Sequence, residues 1–141
     1  MTERADITIR KYQNSDRHNV ISLIEDSSLT RGHAAGFLLG ILERRKILIA
    51  DTGGNVVGTV IIDGPNKNQQ SDIDYVVVHE NFRRMGIGKI LVTHAEQILR
   101  HMGVKKINLI AHQAKPHLIN FYQNLGFVLV NADGSMKKKL R

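Results

Sequence analysis

The chain has 141 residues, about the length of one domain, and its 42% hydrophobic and 23% charged composition is typical of a folded globular protein. It contains no cysteine, which excludes disulfides, thiolate zinc sites and a cysteine nucleophile. The net charge of +7 favours polyanionic partners such as nucleic acid, anionic membranes or phosphorylated small molecules.

Targeting and membrane segments are not expected. Residues 1–17 carry charges throughout and lack the apolar centre of a secretory signal. The longest apolar run, residues 34–42, contains two glycines and is much shorter than the roughly 20 residues of a membrane-spanning helix. We therefore expect a cytoplasmic protein.

The first 45 residues predict a strand followed by two helices. Residues 6–12 alternate apolar and polar side chains, as a strand does. Ser15 and Asp16 are favourable N-caps for the helix that follows. Apolar residues at helical spacing predict the core-facing stripes of the two helices. The first stripe holds Val20, Leu23 and Ile24, and the second holds Phe37, Leu38, Ile41 and Leu42.

The middle of the chain predicts three strands. Residues 46–50 and 55–62 read as two strands, and Gly53 and Gly54 favour a tight hairpin between them. After a polar loop, the β-branched run at residues 73–78 predicts a mostly buried central strand. The pattern therefore gives an antiparallel pair and then a core strand.

The last third predicts two helices and three strands. A helix begins at Ile87 and ends at Gly103, and a second begins at Pro116 and ends at Gly126. Strands are predicted at residues 107–111, 127–130 and 136–140. The lysines at 137–139 favour protection of an exposed strand edge over nucleic-acid binding. The complete order, β-α-α-β-β-β-α-β-α-β-β, fits one mixed α/β sheet.

The segment between the core strand and the long helix carries the strongest chemical signal. Unpaired N–H groups and the positive end of the helix dipole meet there, which favours an anion site. Gly86 and Gly88 would let a phosphate approach the backbone, although glycines could simply permit a tight turn. The segment does not match better-known phosphate loops: Leu91 replaces the third Rossmann glycine, and Ile90 replaces the Walker A hydroxyl residue.

The pattern Arg83-x-x-Gly86-x-Gly88 resembles the acyl-CoA pyrophosphate motif of the GNAT superfamily of N-acetyltransferases. The run Asn-Phe-Tyr-Gln-Asn-Leu-Gly-Phe at residues 120–127 resembles the closing helix of the same family. The resemblance implies a single domain over 1–141 with a mostly antiparallel central sheet flanked by helices. Two departures, Glu80 where the family often has proline and Lys115 where its closing helix often has asparagine, put contacts to pantetheine in doubt.

The resemblance also implies an activity and a set of site residues. The chain would transfer an acetyl group from acetyl-CoA to a primary amine of a small molecule or a peptide, with a homodimer compatible with this activity. Tyr122 would face the thioester sulfur. Backbone groups of one strand would pair with pantetheine, and the loop would hold the pyrophosphate. The strand residues are Val76, Val77 and Val78, and the loop residues are Arg83, Arg84, Met85, Gly86, Ile87, Gly88 and Lys89.

Acetyl transfer needs an acid for the thiolate and a base for the amine. Tyr122, with a reference pKa of about 10, is a workable acid, although it could be a core aromatic. Asp74 is the favoured base, with Asp72, His79 and His112 as alternatives. The seven histidines show no metal-binding spacing, so no metal is expected.

Two other functions fit parts of the sequence. A basic nucleic-acid-binding module would explain the charge, but seven aromatic residues without tryptophan offer no cluster for stacking on bases. A non-catalytic acyl-CoA sensor would share the loop, but the retained Tyr122 favours an enzyme. Neither nucleic acid nor a membrane is therefore an expected partner. The acceptor amine has no signature in the sequence.

Overall fold

The computed structural model describes residues 6–26, 40 and 45–141. Within these residues the fold is α/β, with seven strands in a mostly antiparallel sheet and three α-helices, which confirms the predicted class. The strands are β1 Thr8–Lys11, β2 Lys46–Thr52, β3 Asn55–Ile62, β4 Gln70–Val78, β5 Lys106–Ile110, β6 Val128–Leu129 and β7 Ser135–Lys139. The helices are α1 Arg17–Glu25, α2 Ile87–His101 and α3 Pro116–Asn124. The predicted stripe from Phe37 to Leu42 lies outside the described residues, apart from the helical Gly40.

The first of two compact units comprises Met1–Ile61 and Tyr75–Ala95. Its strand order is β1-β2-β3-β4, and β1 runs antiparallel to β2. Gly53 and Gly54 form the predicted turn with φ values of 58° and 87°, which a side chain would resist. The predicted stripe of α1 is buried against β2, β3 and β4. The buried cluster is Val20, Leu23, Ile24, Ile47, Ile49, Ile61 and Val77.

Asp16 occupies the N-cap position of α1, as predicted, but its carboxylate makes no capping hydrogen bond to that helix. The carboxylate accepts two hydrogen bonds from the Arg10 guanidinium, at 2.8 and 2.9 Å, and one from the backbone N–H of Gln13. Arg10 also donates to Asp51 at 3.0 Å. The bonds from Arg10 hold the pKa of Asp16 below its usual value. The Arg10 side chain, on β1, thus connects β2 and the start of α1 through its bonds to Asp51 and Asp16.

The second unit comprises Ile62–Asp74 and Glu96–Arg141. Its strand order is β4-β5-β7-β6, with β4 parallel to β5 and β7 antiparallel to both of its neighbours. The prediction that β7 is an edge strand is wrong, because β7 lies between β5 and β6, although β6 pairs only with Met136 and Lys137. The edge strand of this unit is β6.

Both later helices end at the predicted glycines. Gly103 has a φ of 84°, and the N–H of Val104 donates to Leu99 O at 2.9 Å. Gly126 has a φ of 95°, and the N–H of Phe127 donates to Tyr122 O at 3.0 Å. These are left-handed C-terminal caps. The cap of α3 places Tyr122 in the last turn of that helix. No helix in the described part of the chain is long and apolar enough to span a membrane.

Candidate functional site

The turn from β4 into α2 ends with a helix N-terminus at Gly86. The N–H of Ile90 donates to Gly86 O at 3.1 Å, which makes Gly86 the residue before the first helical turn. The N–H groups of Ile87, Gly88 and Lys89 precede the helical ladder, so they have no partner within the helix. These N–H groups and the helix dipole form the expected anion-binding end.

Two residues of this turn adopt left-handed backbone conformations. Gly86 has a φ of 78° and Arg84 a φ of 66°, a conformation in which a residue other than glycine is strained. A Cβ built on Gly86 would meet no atom within 4 Å, so the space in front of its backbone is open. A phosphate therefore has room to approach the helix end.

The basic side chains of the turn are exposed. Arg84 and Lys89 extend into solvent, whereas Arg83 Nε donates to the backbone oxygen of Val78 at 3.3 Å. A groove of about 150 Å³ lies beside this contact, lined by Leu23, Asp26, Val77, Val78, His79, Glu80 and Arg83. The turn thus combines open backbone donors with two exposed cations and a third held against the end of β4.

The bonding of His79 argues against its role as the base. The backbone N–H of Asn81 donates to His79 Nδ1 at 3.1 Å, so Nδ1 offers a lone pair. The neutral ring then carries its proton on Nε2 and presents a donor there. In this arrangement His79 can donate a hydrogen bond from Nε2 but has no lone pair there to accept a proton.

The strands β4 and β5 are paired only at their first residues. The register runs from Gln70 with Lys106 to Asp72 with Asn108, and no pairing beyond it joins these strands in the described structure. A cavity of about 470 Å³ opens in this unit. Its lining is Asp72, Ile73, Asp74, Lys106, Asn108, Leu109, Ile110, Val130, Ser135, Met136 and Lys137.

The predicted base Asp74 lies in the wall of this cavity and is exposed, as is Asp72. Residues 73–78 were expected to form a mostly buried strand, but burial alternates at its start. Ile73 is 5% exposed and Val77 is 3% exposed, while Val76 and Val78 are half-buried. The strand therefore has an open side that carries both carboxylates.

Tyr122 has a buried ring, with the residue 8% exposed. The ring packs edge-on against Phe121 and Phe127, with centroid distances of 5.0 and 5.7 Å. Its hydroxyl makes no hydrogen bond to a described residue. Burial raises the pKa of Tyr122 to about 12, so the phenol stays protonated far above neutral pH.

The sequence analysis did not predict a buried ion pair that contacts the C-terminal end of α3. Lys138 Nζ donates to the Glu96 carboxylate at 2.9 and 3.1 Å and to Leu125 O at 2.6 Å. The ammonium also lies 5.9 Å from the centroid of the Phe127 ring, which packs on Tyr122. The pair thus holds the end of the helix that carries Tyr122. The sequence did contain a signal for this pair. Lys138 lies midway between the buried residues Met136 and Leu140, at a position where the alternation predicts another buried side chain.

Replacing Lys138 by methionine is expected to destabilise the fold by about 3 kcal/mol, because Glu96 would be left buried without its partner. Adding Glu96→Gln to that variant should recover part of the loss. Urea unfolding of the two single variants and the double variant measures the coupling. Simple additivity of the two single effects would show that the pair contributes no coupling energy.

In residues 6–26, 40 and 45–141, no group of three or more carboxylate or imidazole side chains is arranged to hold a metal ion. The first unit thus presents a helix N-terminus with basic flanks, and the second unit presents an open strand pair bearing carboxylates and a buried tyrosine.

Comparisons with known proteins identify a family and several relatives. The Acetyltransferase (GNAT) family matches residues 10–127. An acetyltransferase of Yersinia enterocolitica is 28% identical over 84% of this chain and 86% of that protein. An uncharacterized N-acetyltransferase of Gracilaria tenuistipitata var. liui is 40% identical over 53 residues, which span 38% of this chain and 28% of that relative. The PaiA N-acetyltransferase of Thermoplasma acidophilum, solved with coenzyme A, matches with a TM-score of 0.78 and 18% identity over 96% of this chain and 99% of that one.

Proposed function

This chain belongs to the GNAT family and is an N-acetyltransferase, and we propose that residues 1–141 act as one domain that transfers acetyl from acetyl-CoA to a small primary amine. The observation that carries the site assignment is the open backbone at Gly86, beside the first N–H groups of α2. A structural relative was solved with coenzyme A, which supports the same donor here. Because acetyl-CoA is a metabolite of the cell interior, the proposal places the enzyme in the cytoplasm.

In this proposal the turn holds the pyrophosphate of acetyl-CoA. The N–H groups of Ile87, Gly88 and Lys89 donate to phosphate oxygens, and Arg84 and Lys89 supply positive charge. The full proposed set is Arg83, Arg84, Met85, Gly86, Ile87, Gly88 and Lys89. Backbone groups of Val76, Val77 and Val78 pair with pantetheine, as an added strand would.

The chemical step transfers one acyl group and two protons. The neutral amine attacks the thioester carbonyl carbon, a C–N bond forms and the C–S bond breaks. Asp74, directly or through water, takes the proton that the amine nitrogen loses, and Tyr122 gives its proton to the departing thiolate. With a pKa of about 12, Tyr122 protonates a thiolate of pKa about 8.5 at a cost of about 5 kcal/mol. That cost fits within the roughly 16 kcal/mol barrier of a typical enzyme.

Binding of acetyl-CoA tests the donor assignment. Calorimetric titration should show binding to the isolated protein, and the midpoint of thermal unfolding should rise with ligand concentration. Thiol release in the presence of a mixture of primary amines should then show turnover. If neither acetyl-CoA nor CoA binds at millimolar concentration, the site is assigned wrongly. Binding without thiol release would favour the sensor.

Replacing Asp74 by asparagine should lower kcat by about 100-fold, the lower end of a general-base contribution, with little change in acetyl-CoA affinity. The matched variant is Asp72→Asn, which removes the same charge from the same cavity wall two residues earlier. That variant should retain most of kcat, and any loss from weaker binding of the amine should appear in KM. Steady-state rates from pH 6 to 9 measure both effects. Equal kcat in the Asp74→Asn enzyme and the wild type across this range would assign the base to water or His112.

A further inference from the structure

The cavity between β4, β5 and β7 carries charges of both signs on different strands. Asp72 and Asp74 line it from β4, while Lys106 lines it from β5 and Lys137 from β7. The four charges sum to zero. A volume of about 470 Å³ lies in the range of small-molecule sites.

The register of the strands sets the separation of these charges. Asp72 pairs with Asn108, and Asn108 pairs with Lys137, so the three residues form one row across the sheet. Neighbouring strands lie about 4.8 Å apart, which puts about 10 Å between the backbones of Asp72 and Lys137. One small molecule with a charge at each end can bridge this span, since both residues line the cavity.

Three of these charges, on Asp72, Lys106 and Lys137, do not neutralise one another within the protein. In the part of the chain that the structure describes, Asp72, Lys106 and Lys137 form no ion pair within 4.0 Å. The adjacent Lys138 behaves differently, because it is bound to Glu96 and Leu125. The central Asn108 donates an amide N–H to the Gln70 side chain at 3.0 Å, which orients its amide group. The row therefore leaves Asp72 and Lys137 available to a ligand.

We infer that the acceptor is a small zwitterion of the amino-acid type, whose amine lies at the Asp72 and Asp74 wall and whose carboxylate lies at the Lys106 and Lys137 wall. This inference rests on the proposed acetyl transfer and names the class of its acceptor. A linear polyamine would place cationic groups against the two lysines, in a chain whose net charge is already +7. A cavity lined by both aspartates and lysines thus favours an amine that also carries a negative charge.

The test compares matched acceptors. Initial rates of thiol release with acetyl-CoA are measured for the twenty free L-amino acids, for their C-terminal primary amides and for spermidine. The best free amino acid should exceed its own amide by at least about 10-fold in kcat/KM, because the amide lacks the charge that the lysines bind. Spermidine should be slower still.

A lysine variant assigns the preference to this cavity. Lys137→Met should reduce the ratio of amino acid to amide toward 1 by lowering kcat/KM for the free amino acid alone. Lys139→Met, on the same strand but outside the cavity lining, should retain the ratio. Amides or spermidine that match the free amino acids would overturn the zwitterion assignment while acetyl transfer stands. A ratio unchanged in Lys137→Met would also overturn it. Absence of thiol release with every acceptor would overturn the acetyl transfer itself.

Discussion

Replacing Tyr122 by phenylalanine should lower kcat at least about 100-fold, since a positioned general acid contributes about 100- to 10,000-fold. The variant keeps the ring that packs on Phe121 and Phe127 and removes only a hydroxyl that makes no bond to a described residue. Packing and acetyl-CoA affinity should therefore survive. Single-turnover rates at saturating acetyl-CoA measure the chemical step. A folded variant with wild-type single-turnover rates would make Tyr122 a core aromatic alone.

The same variant has a second readout at high pH. The folded pKa of Tyr122 is raised to about 12, against a reference value of about 10 in the unfolded chain. The contribution of Tyr122 to the free energy of unfolding is fully present below pH 10. It falls as the pH rises above 10, because the unfolded chain then loses a proton that the folded chain keeps. At pH 11 the loss amounts to about 1.4 kcal/mol. Between pH 9 and 11, Tyr122→Phe should thus lose less stability in urea unfolding than the wild type by about this amount.

Replacing Gly86 by valine should weaken acetyl-CoA binding by about 10- to 100-fold or more. The φ of 78° resists a β-branched residue, and the side chain would enter the open space before the helix N–H groups. Loss of one or two charge-assisted hydrogen bonds accounts for this range.

A valine at a second glycine serves as the control. It distinguishes the loss of stability caused by backbone strain from the loss of acetyl-CoA affinity caused by blocking the anion site. Gly103 also has a positive φ, at 84°, and open space around a built Cβ, but it caps the end of α2. Gly103→Val should thus cost similar stability while acetyl-CoA affinity stays unchanged. Calorimetric titration compares the two folded variants. Equal affinity in both would remove the anion site from the turn.

Local signals predicted the elements of the fold because each depends on a few neighbouring residues. Gly103 and Gly126 end helices where the chain must take a left-handed turn, and Gly53 and Gly54 reverse it between two strands. The turn after β4 was predicted for the same reason, since Gly86 and the following helix are adjacent in sequence.

Features that depend on distant residues were predicted less well. Asp16 looks like a helix cap until Arg10 and Asp51 are brought beside it by strand pairing. The position of β7 between two strands could not be read from its lysines, because strand order is a property of the whole sheet. The exposure of Asp74 likewise depends on which distant residues cover that side of β4.

The early end of the pairing between β4 and β5 also bears on association between molecules of this protein. Backbone groups that a neighbouring strand would otherwise cover can recruit a strand from another molecule. Ile110, 67% exposed, adds an apolar side chain that would favour such association. Asp72 and Asp74 place charges beside this open stretch, and charged side chains discourage pairing between chains. The two carboxylates would therefore protect the empty enzyme from aggregation, and a bound ligand would take over that protection during turnover.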